Sequence, residues 1–308
     1  MKLSKRICAF FLSFLLLATA SVPSAQAACR LGGVRKNLTY SVSDDLQSAL
    51  DKVYKRYNFS VGWGVYDISG RAPKEVASHN ANKKFQSNCT IKAAMLLYIC
   101  KQMDEGKLSL DTKMYVNTGK LHYHDFGRGS GSYTVEYLLT RMIHVSNNVC
   151  YETFLRYATK ETFNLFLAGL GSGTVVKSYN YMGDCTVSDR AAEWYALYKY
   201  CHSRAEHADF AWKLLTEAKF SPIRDGLKKT VAHKSGWYWE SGMYGTAGDC
   251  AVVQTENGGC YLMVMFTKNN TKGNYSQALM RELAVVLDKV WEEYYDSLPL
   301  IRRKKAKF

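Results

Sequence analysis

The 308-residue sequence has little proline, fewer acidic than basic residues and no long hydrophobic run after its first 27 residues. With four prolines and 22 glycines, it cannot be a collagen-like or proline-rich low-complexity chain. No stretch after residue 27 is apolar enough to span a bilayer, and no repeat or linker rich in proline, glycine or serine divides the chain. Hydrophobic residues still make up 47% of the sequence, which predicts one compact globular unit.

The first 27 residues have the pattern of a secretory signal peptide. A basic start precedes an apolar run over 7–18, and a small-residue cleavage signal follows at 25–27. We therefore predict a signal peptide over 1–27, an N-terminal segment over 28–40 and a secreted or extracytoplasmic protein. Acylation of Cys29 would instead make a lipoprotein, but Gln26 lies where such proteins carry a large aliphatic residue.

The charge balance indicates an affinity for anionic surfaces. Lys and Arg number 41 against 27 Asp and Glu, a net charge of +14, of which +11 remains after the signal peptide is removed. A basic exported protein is attracted to anionic polymers and lipid headgroups, and the tail over 299–308 concentrates that charge. Such a run is also typical of a solvated tail that aids solubility. We expect association with the cell envelope, through an anionic cell-wall polymer or the membrane surface, and no nucleic-acid partner.

Strands are predicted first, helices next, and strands with a helix last. Apolar spacing predicts a helix over 41–57, strands over 61–68 and 75–79, and a helix that Asn88 caps and Gly106 ends. Further helices are predicted over 135–143, 149–158, 161–167, 189–200 and 210–218. Strands over 251–254 and 261–266 flank an Asn-Gly turn signal, and a helix over 277–294 follows. We predict an α/β (α+β) fold in which both chain ends form one antiparallel sheet covered by helices.

Three short motifs carry groups suited to acyl transfer. Cys89 and Lys92 are three residues apart at a predicted helix start, so the sulfur and the ammonium group share a face. A helix N-terminus and a neighbouring lysine both favour a thiolate. The second motif, 146–148, lies in a break between two helices, and the third, 234–236, enters a strand. None of the motifs is specific alone.

Together and in this order, Cys89-Thr90-Ile91-Lys92, Ser146-Asn147-Asn148 and Lys234-Ser235-Gly236 resemble the S-x-x-K, S-D-N and K-T-G motifs of the penicillin-recognising family. Further features similar to class A β-lactamases are Phe85, 133–135, Leu138, 142–143, 183–186, 223–227 and 244–249. The resemblance extends over about residues 41–295. It implies a β-lactamase/transpeptidase-like catalytic domain over 41–298, with a mostly helical subdomain over about 90–220.

The resemblance implies catalytic roles for three residues. Cys89 stands where the family has its nucleophilic serine, and Lys92 where it has the lysine that helps to activate it. Ser146 would relay a proton to the leaving group. Substrate binding is implied for Asn148, Lys234, Ser235, Gly236 and Trp237.

The binding roles differ in kind. Asn148 would hold the substrate amide, while Lys234 and Ser235 would bind a carboxylate. The backbone N–H groups of Cys89 and Trp237 would form an oxyanion hole. Gly236 would keep the strand edge open to an acyl-peptide.

Four departures from the family pattern affect what the site can do. Cysteine at position 89 would give a thioester intermediate, and Asn147 replaces an aspartate. No glutamate occurs in 169–184, where a class A enzyme has the base for deacylation, so we expect slow turnover. No arginine occurs in 237–247 to help hold a β-lactam carboxylate. Four aromatic residues take its place: Trp237, Tyr238, Trp239 and Tyr244.

The resemblance implies an exported, monomeric acyl-transfer hydrolase that forms an acyl-enzyme on Cys89 with a small-molecule or peptide substrate, a β-lactam or a cell-wall peptide. The alternative is a pseudoenzyme that binds cell-wall polymer or peptide in the retained cleft. No cofactor is expected. His122 and His124 lack the acidic or cysteine neighbours of a metal site, so none is predicted.

The cysteine count argues against a fully paired disulfide framework. Nine cysteines are present, Cys8 lies in the signal peptide and Cys89 in the first motif. The seven that remain are an odd number: Cys29, Cys100, Cys150, Cys185, Cys201, Cys250 and Cys260. We therefore expect at least one of them to be unpaired.

Overall fold

A computed structural model describes residues 42–57, 60–240, 243–255, 259–268 and 275–299. The predicted signal peptide, the segment over 28–40, all but the first residue of the basic tail and the Asn257-Gly258 turn lie outside the described residues. Within the described ranges, no helix combines the length and the apolar character that a membrane crossing requires.

The described elements follow the predicted order along the chain. The strands are β1 (Ser60–Asp67), β2 (Lys74–His79), β3 (Phe85–Gln86), β4 (Lys113–Val116), β5 (Gly131–Thr134), β6 (Asp184–Cys185), β7 (Val231–Glu240), β8 (Met243–Gln254) and β9 (Cys260–Lys268). The helices are α1 (Asp44–Tyr57), α2 (Lys92–Asp104), α3 (Val135–His144), α4 (Asn148–Ala158), α5 (Lys160–Gly169), α6 (Val187–Cys201), α7 (Ala208–Thr216), α8 (Pro222–Leu227) and α9 (Tyr275–Ser297).

The main sheet is built from both ends of the chain. Its strand order is β2-β1-β9-β8-β7, and every neighbouring pair is antiparallel. The predicted α+β fold with a shared antiparallel sheet is therefore confirmed. β7 forms one edge of this sheet, which leaves one of its sides available to the site described below.

The sheet separates two hydrophobic cores, and β9 contributes to both. Odd-numbered residues from Tyr261 to Met265 pack with α1 and α9 in what we call the terminal core. Even-numbered residues from Leu262 to Phe266 pack with α2–α7 in the helical core. Side chains alternate between the faces of a strand, so β9 is apolar at nearly every position because both faces are covered.

The predicted Asn88 cap is wrong. The chain forms a 3-10 turn over Asn88–Ile91, and α2 begins only at Lys92. Asn88 has a left-handed backbone conformation, with φ at 48°. Its Nδ2 donates a hydrogen bond to Thr246 Oγ1 at 2.9 Å. The side chain is therefore committed to β8 and not to the N–H groups of the helix.

The short strands β3, β4, β5 and β6 have no predicted counterpart, and two further elements differ from the predicted pattern for local reasons. The strand predicted over 251–254 begins earlier, at Met243. Its apolar pattern is interrupted at Gly248, where no side chain fits because a Cβ would lie 2.5 Å from the Phe266 ring. Helix α8 has no predicted counterpart because six residues are too few to show a helical period. Ser221 caps it by accepting from Arg224 N at 3.0 Å.

Candidate active site

Cys89 lies in the 3-10 turn over Asn88–Ile91, the Cys89 turn, and contacts on two sides fix its position. The Ser87 carbonyl accepts from the Thr90 hydroxyl at 2.5 Å and from the Thr90 N–H at 3.3 Å. On the sheet side, a Cβ at Gly236 would lie 2.3 Å from Cys89 N. Only glycine permits so close an approach, so Gly236 sets the distance between the turn and β7.

Lys92 joins the first two motifs. Its side chain is fully buried, and Nζ lies 3.2 Å from Cys89 Sγ, 2.5 Å from the Ser146 carbonyl oxygen and 2.6 Å from Asn148 Oδ1. Both oxygens can only accept hydrogen bonds, and an ammonium group has three donors. The geometry therefore fits a charged Lys92 that also donates to the sulfur, an arrangement that can stabilise a thiolate.

Ser146 connects the two lysines. Its backbone is left-handed, with φ at 58°, and its carbonyl accepts from Lys92 while its hydroxyl lies 2.8 Å from Lys234 Nζ. Burial lowers the pKa of Lys234 to about 8, although the charge of Cys89 offsets part of that effect. A lysine with this pKa can exchange a proton with Ser146 near neutral pH.

Cys89 differs electrostatically from the other described cysteines. Burial raises the pKa of its thiol. The charges of Lys92 and Lys234, together with hydrogen bonds from Ser146 and Lys92, lower the pKa by more than burial raises it, so the net shift is downward. Burial raises the pKa of the remaining six, Cys100, Cys150, Cys185, Cys201, Cys250 and Cys260. All seven described cysteines are free thiols, and Cys89 alone among them is partly exposed. It is therefore the thiol best suited to nucleophilic attack.

Asn147 supports the second motif by both accepting and donating hydrogen bonds, whereas the more usual aspartate could only accept them. Its Oδ1 accepts from Cys150 N at 3.0 Å, which caps α4, and its Nδ2 donates to the Asp125 carbonyl at 2.6 Å. The Asp125 carboxylate in turn accepts from Asn148 N at 2.8 Å and Val149 N at 3.1 Å. An ionised carboxylate has no donor, so the substitution fits this local network.

The candidate site residues named from the sequence lie at one cleft of about 210 Å³ that is open to solvent. Lys92 lies beneath it, and the other residues named from the motifs are among those that line it: Cys89, Ser146, Asn148, Lys234, Ser235, Gly236 and Trp237. Ser235 Oγ donates to the Phe220 carbonyl, and the Phe220 ring packs edge-on to Trp237 with centroids 6.1 Å apart.

The structure describes only two side chains of the predicted aromatic set, Trp237 and Tyr238. Tyr238 is 48% exposed, while the side chains of Trp239 and Tyr244 lie outside the described residues. Tyr123 packs against the helical core, and burial and the charge of Cys89 raise its pKa. Its neighbour His122 binds Glu152 through Nδ1 at 2.8 Å. Among the described residues, no group of three or more His, Cys, Asp or Glu side chains could hold a metal ion.

A buried ion pair behind the Cys89 turn has no counterpart in the sequence prediction. Arg190 and Glu193 pair one turn apart on α6 and are both buried. Glu193 accepts from Ser172 Oγ at 2.6 Å and from Thr174 Oγ1 at 3.3 Å, and Arg190 donates to Ser87 Oγ at 2.8 Å. The pair thus connects the 170–183 loop, which lacks a glutamate, to the start of the Cys89 turn.

Sequence reasoning missed Asp125, Phe220 and the Arg190–Glu193 pair. Each acts through contacts distant in sequence, and an acidic and a basic residue three apart on a helix look like a surface pair until their burial is known. In the sequence, only the polar stretch before the second motif could have drawn attention to Asp125.

Comparisons with known proteins agree on one fold. A sequence profile described as the beta-lactamase enzyme family matches residues 45–291. A β-lactamase from Chitinophaga pinensis DSM 2588 is 17% identical, with a TM-score of 0.69 over 82% of this chain and 100% of that one. The extended-spectrum β-lactamase TLA-1 is 18% identical, with a TM-score of 0.70 over 82% of this chain and 99% of that one.

A third similar structure is PBP-A, at 18% identity and a TM-score of 0.70, over 82% of this chain and 98% of that one. A mutant of PBP-A has been solved as an acyl-enzyme complex with penicillin G, and it is 16% identical, with a TM-score of 0.68 over 80% of this chain and 96% of that one. No curated protein matches the chain.

Proposed function

The chain belongs to the β-lactamase enzyme family, and we propose that it is an acyl-transfer hydrolase whose acyl-enzyme is a thioester on Cys89. The observation that carries the proposal is the 3.2 Å contact between Lys92 Nζ and Cys89 Sγ, inside a cleft that the second and third motifs also border. It supports a resting thiolate, which needs no separate base before attack.

The proposed first step is attack of Cys89 Sγ on an amide or ester carbonyl carbon. The carbonyl oxygen becomes an oxyanion held by the N–H groups of Cys89 and Trp237. As the bond to the leaving nitrogen or oxygen breaks, that atom takes a proton from the Ser146 hydroxyl. Lys234, 2.8 Å from Ser146 Oγ, then returns a proton to Ser146.

Hydrolysis of the thioester is the proposed slow step. Water must add to the thioester carbonyl, after which Cys89 leaves as thiolate, the acid product is released, and the remaining proton of the water restores the ammonium form of Lys234. The only acidic residue in 169–184 is Asp184, and it accepts a hydrogen bond from Tyr181 at 2.5 Å. A stabilised thiolate is a good leaving group, which partly offsets the lack of a general base.

Penicillin G and an activated ester of a short peptide test the proposal directly. After incubation with each, intact-protein mass spectrometry should show one covalent acyl group, and peptide mapping should place it on Cys89. Cys89→Ala should remain unmodified. Acyl groups found only on other residues, or Cys89 found in a disulfide in the native protein, would exclude the thioester.

Cys89→Ser is the informative companion variant. A serine restores the atom for which the family geometry is suited, so acylation by penicillin G should increase if the rest of the site is intact. No acylation in this folded variant would mean that other parts of the machinery have also been lost.

A second candidate is a binding protein that retains the cleft without catalysis, and the lack of a glutamate in 169–184 favours it. It predicts an unmodified Cys89 after both incubations, together with retained binding of an anionic cell-wall polymer. Export, envelope association and a monomeric state stay predictions from the sequence.

A further inference from the structure

The end of the cleft beside Ser146, which the proposed function assigns to the leaving group, is lined mainly by apolar side chains. They are Ile143, Val145, Ala218, Phe220 and Trp237, and His144 also lines the cleft. Among the described residues that line the cleft, Lys234 is the only lysine or arginine, His144 is the only histidine, and there is no carboxylate. A ligand at this end therefore meets the Lys234 amine beside mainly apolar side chains, which suits a monoanion with an apolar side chain.

The wall that carries Phe220 is held by buried polar groups. The Ala218 carbonyl accepts from Arg224 at 2.8 Å and lies 3.0 Å from His233 Nε2. The Phe220 carbonyl accepts from Ser235 Oγ, and Ser221 Oγ donates to Asp249 at 2.7 Å. The backbone that presents the Phe220 ring is thus fixed before any ligand arrives.

The Phe220 ring itself is poorly covered. It is 53% exposed although it packs edge-on to Trp237. A ligand ring placed against both would remove apolar surface from water without ordering the backbone, since the wall is already fixed. The 237–247 segment also offers no arginine, so affinity at this end must come largely from apolar contact.

We propose that this end of the cleft, the Phe220–Trp237 pocket, binds the leaving-group residue of the substrate and selects one with an aromatic side chain beside its carboxylate. The inference rests on the proposed function, because the pocket is assigned to the leaving group only if Ser146 gives its proton to that group. The carboxylate lies at Lys234, and the aromatic ring packs against Phe220 and Trp237.

Two matched esters test this selectivity. Both carry the same acylated amino acid, and the leaving group is either lactate, with a methyl side chain, or phenyllactate, with a benzyl side chain, each prepared as both enantiomers. Cys89 Sγ displaces the ester oxygen, which takes the Ser146 proton and leaves as the hydroxy acid. The better enantiomer of phenyllactate should have a kcat/KM about tenfold above that of lactate.

Phe220→Ala should lower kcat/KM for the phenyllactate ester by about tenfold and so remove most of the preference. Because the ring is more than half exposed, folding should be retained, which an unchanged thermal midpoint checks. Tyr115→Ala is the matched control: this aromatic residue is 64% exposed and does not line the cleft. It should keep the full preference.

The failures are distinguishable. If both esters acylate Cys89 with equal kcat/KM, if lactate is preferred, or if Phe220→Ala keeps the preference, the pocket assignment is wrong while the thioester stands. If mass spectrometry finds no acyl group on Cys89 with either ester, the proposed function and this inference are overturned together.

Discussion

Replacing Asp249 by asparagine should make the stability of the protein less sensitive to pH. Asp249 is fully buried on β8, and its Oδ2 accepts from Ser221 Oγ at 2.7 Å and from Ile223 N at 3.0 Å. Burial raises the pKa of this carboxyl from 3.8 to about 7, even though these bonds and Lys234 act to lower it. In the unfolded chain the pKa returns to ~3.9.

Between about pH 4 and about pH 7 the folded protein therefore holds a proton that the unfolded chain has lost. Since the folded state binds more protons, the free energy of unfolding falls as pH rises through this window. One pH unit is worth about 1.4 kcal/mol for a single group. The contribution of Asp249 should thus fall by about 2 kcal/mol between about pH 5 and about pH 7, where the folded group is half ionised, and by less than about 1 kcal/mol more above that.

Asp249→Asn removes the titration but keeps an oxygen that can accept from Ser221 and Ile223. The stability of the variant relative to wild type should therefore rise by about 3 kcal/mol from about pH 5 to about pH 8. Urea unfolding followed by circular dichroism at several pH values measures this gap, with the exposed Asp111→Asn as a control whose gap stays constant. A gap that does not change with pH in Asp249→Asn would show that this carboxyl is ionised throughout, and would refute the reasoning.

Three further predictions concern the Cys89 turn and its surroundings. Gly236→Ala should lower the acylation rate of Cys89 by about a hundredfold, because the added Cβ must displace the turn; single-turnover kinetics on the folded variant measure it. Lys92→Met should shift the pH midpoint of Cys89 alkylation by iodoacetamide upward, because the thiolate loses its ammonium partner; an unchanged midpoint would contradict this. Arg190→Met should lower the free energy of unfolding by about 3–5 kcal/mol in urea, because Glu193 is left as a buried unpaired charge. Adding Glu193→Met should restore most of that loss.

The fold and the three motifs could be predicted because their signals are local. A pair such as Cys89 and Lys92 needs only a helical turn to meet, and the apolar run of β9 is visible in its own residues. The two chain ends were expected in one sheet because strands at both ends enclose a helical middle. The first two expectations depend on spacings of a few residues, and the third depends on the order of the elements along the chain.

What the sequence could not predict depends on contacts across long separations. Asn88 has the chemistry of a helix cap, but Thr246, far along the chain, takes its side chain. Asp125 looks like an ordinary surface acid until the fold places it at the start of α4. Asp249 belongs to the family-like stretch over 244–249, but its burial behind the cleft wall is visible only in the fold. The structure of the Phe220 wall likewise depends on donors from β7 and α8, which no local pattern reveals.

The placement of the buried thiols offers a way to watch one half of the molecule open. All six buried cysteines pack in the helical core, and none of the described cysteines packs in the terminal core. Each of the six is at most 6% exposed, so a thiol reagent reaches them only when that core opens transiently. Their modification rates can be measured by mass spectrometry after Cys89 has reacted. These rates would report the opening of the helical core separately from that of the terminal core.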